Sequence, residues 1–214
     1  MNGCESGPAL PQTVGLMADS HGRPETIVAA LDRFDRSGCE MIFHLGDICD
    51  SARPHSAAAC VDLLMDAQVM AVRGNNDHSL LAVSSDTATP SIPTRVRRYL
   101  AALPLRRMVP GGVLAHALPF DREMGLSCMM APLDESAVRR ATLAFPGRIL
   151  FRGHSHRPEA VCRDGDRLRW VGFAPGDCLD AKALGVVAVT CGALTRGLCM
   201  VWSPPMGLLT CLAI

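Results

Sequence analysis

The chain has 214 residues, 49% of them hydrophobic but only 4% aromatic, and a formal net charge of zero. That length defaults to one domain, with a core of Ala, Val, Leu, Ile and Met. The charge balance argues against broad electrostatic binding of nucleic acid or of an anionic membrane surface. Taken in chain order, 13–18 is a short apolar run that reads as a buried strand. A helix follows from Pro24 to Ser37, with Ile27, Ala30, Leu31 and Phe34 on one face and Gly38 as its stop. Residues 41–45 read as a second strand, 56–66 as a helix with Cys60, Leu63 and Leu64 inward, and 69–72 as a third strand. The serine- and proline-bearing segment 79–93 reads as an exposed loop or lid. A short helix is expected over 94–103, strands over 105–109 and 113–116, and irregular chain over 117–132. A helix over 134–145 has Asp134 as N-cap and Pro146-Gly147 as stop, and 148–152 is again a strand. The tail is antiparallel β material: 159–163, 167–171, 184–190 and 198–202. The uncharged stretch 197–214 is interrupted by Pro204, Pro205 and Gly207. It reads as two core strands joined by a turn and is too broken to cross a bilayer. An α/β front half and a β-rich back half suggest two facing sheets with helices outside.

Residues 1–12 read as a flexible segment and 13–214 as a single domain. The ten cysteines form no CxxC pair and mostly sit inside apolar runs, as free buried thiols do. No secretory signal is visible at the start of the chain, so reduced thiols in the cytoplasm are expected.

The chemistry concentrates where strands end. Asp19 and His21 lie in Ala18-Asp19-Ser20-His21-Gly22, and Asp47 in Gly46-Asp47-Ile48-Cys49-Asp50. Asn75 lies in Arg73-Gly74-Asn75-Asn76-Asp77, His116 ends the run 113–115, and His154 and His156 lie in Gly153-His154-Ser155-His156. Singly, each is ordinary: an Asp N-cap, a Gly-Asp turn, an Asn in left-handed backbone, a core histidine. Together, in this order and each after an apolar strand, they have the pattern of a site built on loops beyond strand ends. Oxygen and imidazole ligands without thiolate suit a pair of divalent metals acting on phosphate.

These motifs resemble those of the calcineurin-like metallophosphoesterases, whose pattern is DxH, GDxxD, GNxD, H and GHxH. Gly46-Asp47-Ile48-Cys49-Asp50 and Gly153-His154-Ser155-His156 match in full, and Arg73-Gly74-Asn75-Asn76-Asp77 is similar to the small bacterial and archaeal phosphodiesterase branch. The resemblance implies an α/β fold of four layers, two β-sheets flanked by helices. It also implies two divalent metal ions. Asp19, His21 and His156 would hold one, Asn75, His116 and His154 the other, and Asp47 would bridge them. Mn²⁺ is the first expectation, with Fe, Zn²⁺ or Ni²⁺ as alternatives. Asp50 and Asp77 are expected to orient the ligands from behind.

The implied reaction is hydrolysis of small phosphodiesters by a hydroxide that the two metals share, with Asp47, Asn76 and His78 nearest the chemistry. Alternatives are a phosphomonoesterase or nucleotide pyrophosphohydrolase on the same site, or a non-catalytic scaffold on the same fold. Three departures bear on it. Many relatives place His directly after the Asn ligand to protonate the leaving group, and this chain has Asn76, which cannot. His78 is a substitute candidate, though a loop histidine is the simpler reading. Ala117 follows His116 where relatives have Gly, and the later loop reads Ala174-Pro175-Gly176-Asp177 in place of Asn-Pro-Gly-Ser. Arg73 and Arg152 flank the motifs and could meet phosphate, with surface solvation or local ion pairing as the plainer expectation. The partners expected are a small phosphoester substrate and no nucleic acid or membrane, while the oligomeric state is not legible.

Overall fold

The computed structural model describes residues 11–84 and 92–214. Most of the N-terminal segment expected to be flexible, 1–10, and the middle of the expected lid, 85–91, lie outside the described residues. Gln12 is anchored: its N–H donates to Glu40 Oε2 at 3.2 Å and its carbonyl accepts from Ser203 Oγ at 2.9 Å.

Strands β1 (Val14–Met17), β2 (Met41–His44) and β3 (Met70–Ala71) run parallel, connected by helices α1 (Pro24–Arg36) and α2 (Ala57–Asp66). Helix α1 starts where Pro24 has no N–H to lose, and Gly38 takes φ +65° just beyond its end. Its Ile27, Ala30 and Phe34 are fully buried. Ile27 and Phe34 each contribute roughly 1.5–3 kcal/mol when removed from water. Gly15 makes room for this contact, since a Cβ there would lie 2.8 Å from the Phe34 ring.

Helices α3 (Asn75–Val83) and α4 (Thr94–Ala102) follow, then β4 (Arg106–Val109) and β5 (Gly112–Ala115). Residues 79–83 are therefore helical, which corrects the loop expected from 79 onward. The serines, threonines and prolines that suggested a loop cluster from Ser84 onward, beyond the helix, whose start is fixed by Gly74 N donating to Asp77 Oδ2 at 3.0 Å and whose body is anchored by buried Leu80. The segment expected to be irregular contains the short helix α5 (Asp121–Met124) and a 3₁₀ turn over Gly125–Met129. Helix α6 (Glu135–Ala144) is capped as expected, Asp134 Oδ1 accepting from Ala137 N at 2.7 Å.

Strand β6 (Ile149–Arg152) precedes β7 (Glu159–Asp164), β8 (Arg167–Gly172), β9 (Cys178–Asp180), β10 (Val186–Thr190), β11 (Leu198–Ser203) and β12 (Leu208–Ala213). Two six-stranded mixed sheets result, ordered β3-β2-β1-β11-β12-β9 and β4-β5-β6-β10-β7-β8. Leu16, Phe43, Leu114, Phe151, Met200 and Trp202 pack between the sheets. A second cluster joins α1, α2 and α4 to the first sheet, and a third joins α6 to the other. This is the four-layer sandwich expected. Strand β9 escaped the sequence reading because three residues, two of them exposed, carry too little alternation.

The described cysteines are free thiols, and seven of the nine are buried. Among the described residues no helix is long and apolar enough to cross a membrane.

Candidate metal centre

Each of the five clusters leaves the carboxyl end of a strand: Asp19 beyond β1, Asp47 beyond β2, Asn75 beyond β3, His116 beyond β5 and His154 beyond β6. The first three strands are parallel neighbours in one sheet, and β5 and β6 are parallel neighbours in the other. Packing the two sheets face to face therefore brings the five loops together. Among the described residues other than glycine, six have positive φ, and five of them are Asp19, His21, Asp47, His154 and His156. Left-handed backbone costs on the order of 1–3 kcal/mol for such residues and persists only where the surroundings impose it.

Glycines supply the close approaches. A Cβ on Gly46 would lie 2.7 Å from His116 Nδ1, and one on Gly153 would lie 2.8 Å from Asp19 Oδ2. A Cβ on Gly74 would collide with the Asp47 backbone nitrogen and Oδ1.

The seven candidates form two groups that meet at Asp47. In one, His21 Nε2 and His156 Nε2 are 3.2 Å apart, with Asp19 Oδ1 3.3 Å from the latter. In the other, His116 Nε2 stands 3.0 Å from Asn75 Oδ1 and 3.2 Å from His154 Nδ1. Asp47 Oδ2 lies between them, 3.8 Å from His21 Nε2 and 3.4 Å from His116 Nε2. Among the described residues, two sets of His and Asp atoms are close enough to hold an ion: Asp19, His21 and His156, and Asp19, Asp47 and His116.

The donors behind these groups set their orientation. His116 Nδ1 donates to the Leu45 carbonyl at 2.8 Å, which leaves Nε2 turned toward the cluster. His154 N donates to Asp19 Oδ2 at 3.0 Å, while Asp19 Oδ1 is buried with no hydrogen-bond partner. Asn76 donates twice to Asp47, from its backbone N to Oδ1 and from Nδ2 to Oδ2, both at 2.8 Å. Asp77 accepts from Asp47 N and Gly74 N at 3.0 Å and from Cys49 N at 2.9 Å, so it ties β2, β3 and α3 into one frame. Asp50 Oδ2 stands 3.9 Å from His21 Nδ1, an electrostatic neighbour rather than a hydrogen bond.

The charges respond to this crowding. Burial alone would raise the Asp47 carboxyl, but the His116 charge and the hydrogen bonds from His116 and Asn76 hold it well below the usual carboxylate range. Burial alone would lower His116, but Asp47 beside it raises it to about 9. Burial, with Asp47 nearby, pushes Asp77 up against the pull of its backbone donors. Burial and the neighbouring His116 lower His154.

Other expected residues fall outside the cluster. His78 sits on α3, half-buried, and its ring takes no hydrogen bond among the described residues. Arg73 is half-buried, with Nε buried and unpartnered. Arg152 corrects the expectation of a solvated surface residue: it is 2% exposed, and its Nε donates to the Ala117 carbonyl at 3.0 Å. Arg152 ends β6 between Phe151 and Gly153, so its burial follows from a strand that runs through the interior.

His44 was not singled out from the sequence. It is fully buried behind the cluster, its Nε2 3.0 Å from Ser20 Oγ, which donates to the Ile48 carbonyl at 3.0 Å. With that hydroxyl proton committed, His44 carries its proton on Nε2, and burial pushes its pKa down to about 3. A polar residue inside the apolar run 41–45 is the signal that could have found it.

The sequence model of the calcineurin-like phosphoesterase superfamily domain matches residues 13–192. An uncharacterised protein of Methanocaldococcus jannaschii is 26% identical over 172 residues, which cover 72% of this chain and 67% of that one. A metallophosphoesterase of Sphaerobacter thermophilus shares the fold with a TM-score of 0.74 and 21% identity, covering 95% of this chain and 88% of its own. A structure described as a novel archaeal phosphodiesterase superposes with a TM-score of 0.52 at 14% identity, covering 94% of this chain and 99% of its own. On the match of its sequence over most of its length, the chain belongs to the calcineurin-like phosphoesterase superfamily.

Proposed function

We propose that this protein is a phosphodiesterase that uses two divalent metal ions, Mn²⁺ first among them, to hydrolyse small phosphodiesters. The observation that carries the reading is the position of Asp47 Oδ2 between two groups of converging histidine nitrogens. The residues fit a pair of cations. Ring nitrogens 3.2 Å apart, a buried unpartnered Asp19 oxygen and a mixed N/O donor set are all relieved by positive charge among them. Asp19, His21 and His156 would hold one ion, Asn75, His116 and His154 the other, and Asp47 both. When bound, such a pair activates water and neutralises charge on the phosphoryl oxygens.

The remaining chemistry belongs to the chain. Asn75 offers a neutral oxygen, which limits negative charge where an anionic substrate must enter. Asn76 holds both oxygens of Asp47 in place but has no proton to give a departing alkoxide. His116 is set by Leu45, and Asp77 holds the loop that carries Asp47. The fold neighbour described as an archaeal phosphodiesterase points the same way.

The test is a screen of bis(p-nitrophenyl) phosphate, p-nitrophenyl phosphate and a dinucleoside polyphosphate with added Mn²⁺. Diester turnover that exceeds monoester turnover, and that is lost in chelator and in Asp47→Ala, is expected. An undiminished rate in either control would sink the two-metal reading. Preferential cleavage of the polyphosphate would replace the diesterase assignment with a nucleotide pyrophosphohydrolase.

A further inference from the structure

Next to His154 lies a cavity of about 360 Å³ whose wall includes Met130, Leu133, Arg152, Ser155 and Glu159. Its volume is at the small end of the range for small-molecule sites. Arg152 is 2% exposed, yet only its Nε has a protein partner, the Ala117 carbonyl. Neither Nη atom makes a hydrogen bond among the described residues, and neither is sealed from solvent. The guanidinium therefore keeps its donor edge toward the cavity with no carboxylate bound to it. Glu159 also lines the cavity and forms no ion pair among the described residues. The Glu159 and Asp19 carboxylates act on the guanidinium only through space, without a hydrogen bond to it, and a buried cation so weakly compensated is favoured by a closer anion. A guanidinium edge is shaped for the two oxygens of a carboxylate or phosphoryl group.

We infer that this cavity receives one ester arm of the substrate, and that this arm carries an anionic group of its own, bound by Arg152. The inference rests on the phosphodiesterase reading of the adjoining site. Glu159, on the same cavity, suits a hydroxyl or amine donor on the same arm. Apolar contact from Met130 and Leu133 covers the body of the arm. The substrate class is thus a phosphodiester with a second, remote anion, a carboxylate or a further phosphoryl group. Arg152 is a specificity-determining residue for it.

The experiment compares three diesters on the Mn²⁺-loaded protein: methyl 4-carboxyphenyl phosphate, methyl 4-phosphonophenyl phosphate and the neutral methyl 4-carbamoylphenyl phosphate. Rates are corrected for the intrinsic reactivity of each leaving group. At least one anionic arm is expected to give a kcat/KM about tenfold to a hundredfold above the neutral one, the range of a charge-assisted hydrogen bond. Arg152→Gln should bring that ratio close to one, and Arg152→Lys, which keeps the charge but not the fork, should keep only part of it. Which anionic arm is preferred tells carboxylate from phosphoryl recognition. Calorimetric binding of 4-hydroxybenzoate against 4-hydroxybenzamide gives a readout that needs no turnover, and the wild type is expected to favour the carboxylate. A wild type that favours neither anion over the amide in rate or binding overturns the inference, as does an anion preference that survives Arg152→Gln. Absence of turnover with all three diesters would instead fail the phosphodiesterase reading, and the binding comparison would still decide for or against an anion site.

Discussion

Asn76 grips Asp47 at both carboxylate oxygens, one through its backbone N–H and one through its side-chain amide, each at 2.8 Å. The position that could supply a proton to the leaving group is occupied here by a side chain that fixes the central carboxylate. Rates should therefore rise steeply as the leaving phenol becomes more acidic across a series of aryl phosphodiesters. Asn76→His should flatten that slope, with gains up to about a hundredfold for the poorest leaving groups. Asn76→Ala, which loses only the side-chain contact, should lower all rates without changing the slope. A flat slope in the wild type would mean that another acid acts, and His78→Ala would then be the next variant to measure.

Metal entry should be coupled to proton release. In the metal-free protein His116 is raised to about 9 by Asp47, so the ring is protonated near neutral pH. A metal on Nε2 must displace that proton. Calorimetric titration with Mn²⁺ at pH 7, in buffers of different ionisation enthalpy, should show about one proton released per chain from this ring. Affinity should climb up to pH 9 and level off above it. A binding heat independent of the buffer would contradict the His116–Asp47 pair.

The chelated protein should lose stability as the pH rises above 6.5, because buried His116 is held protonated in the fold. The folded-state value of His116 lies above its reference of 6.5, at about 9. Its contribution is fully present below pH 6.5 and is lost as the pH rises through 9. His44 has a folded-state value of about 3, below the same reference. The unfolded chain takes up that proton first, which lowers stability as the pH falls, but Asp77, raised to about 7 by burial with Asp47 nearby, acts in the opposite sense between pH 7 and 4, so the two largely offset. The alkaline loss through His116 is on the order of a few kcal/mol, which is roughly 2–4 °C per kcal/mol in melting temperature for a chain of this size. Thermal melts in EDTA from pH 4 to 9 should be nearly level on the acid side and fall above pH 6.5, and His44→Gln should tilt the acid side toward greater stability near pH 4 as Asp77 acts alone. A melting temperature that rises steadily from pH 6.5 to 9 would rule out the protonated His116.

Gly74→Ala should impair the site through space rather than backbone conformation, since Gly74 sits at an ordinary φ of −98°. The added methyl would run into the backbone nitrogen and Oδ1 of Asp47. Forcing a methyl into a filled site costs about 1–3 kcal/mol. Displacing Asp47 should reduce kcat/KM by at least the ~10–100-fold seen when supporting groups of a metal ligand are lost. Wild-type rates in this variant would show that the β2 and β3 loops can separate without harm to Asp47.

Much of the frame is legible in the sequence. The helix face of Ile27, Ala30 and Phe34, the Asp134 cap and the stop at Gly38 depend on periodicity and on neighbours within one turn. The boundary of α3 was misread because Gly74-Asn75-Asn76-Asp77 has turn chemistry. What makes it a helix start is Asp77, which accepts from residues of two other segments. The burial of Arg152 was misread because a charged residue at the end of a short strand looks solvent-facing until the neighbouring strands β5 and β10 close around it.

The sequence by itself determined which side chains could serve a metal centre and that each would stand at a strand end, since donor chemistry and strand propensity are properties of a few adjacent residues. Only the tertiary structure decided who meets whom. His21 lies 3.2 Å from His156 across 135 residues of chain, and His116 lies 3.0 Å from Asn75 across 41. Those distances follow from the way Leu16, Phe43, Leu114 and Phe151 pack the two sheets together. That packing is a cooperative property of the whole core. It also turned Asn76 onto Asp47 and left the Arg152 guanidinium facing an open cavity.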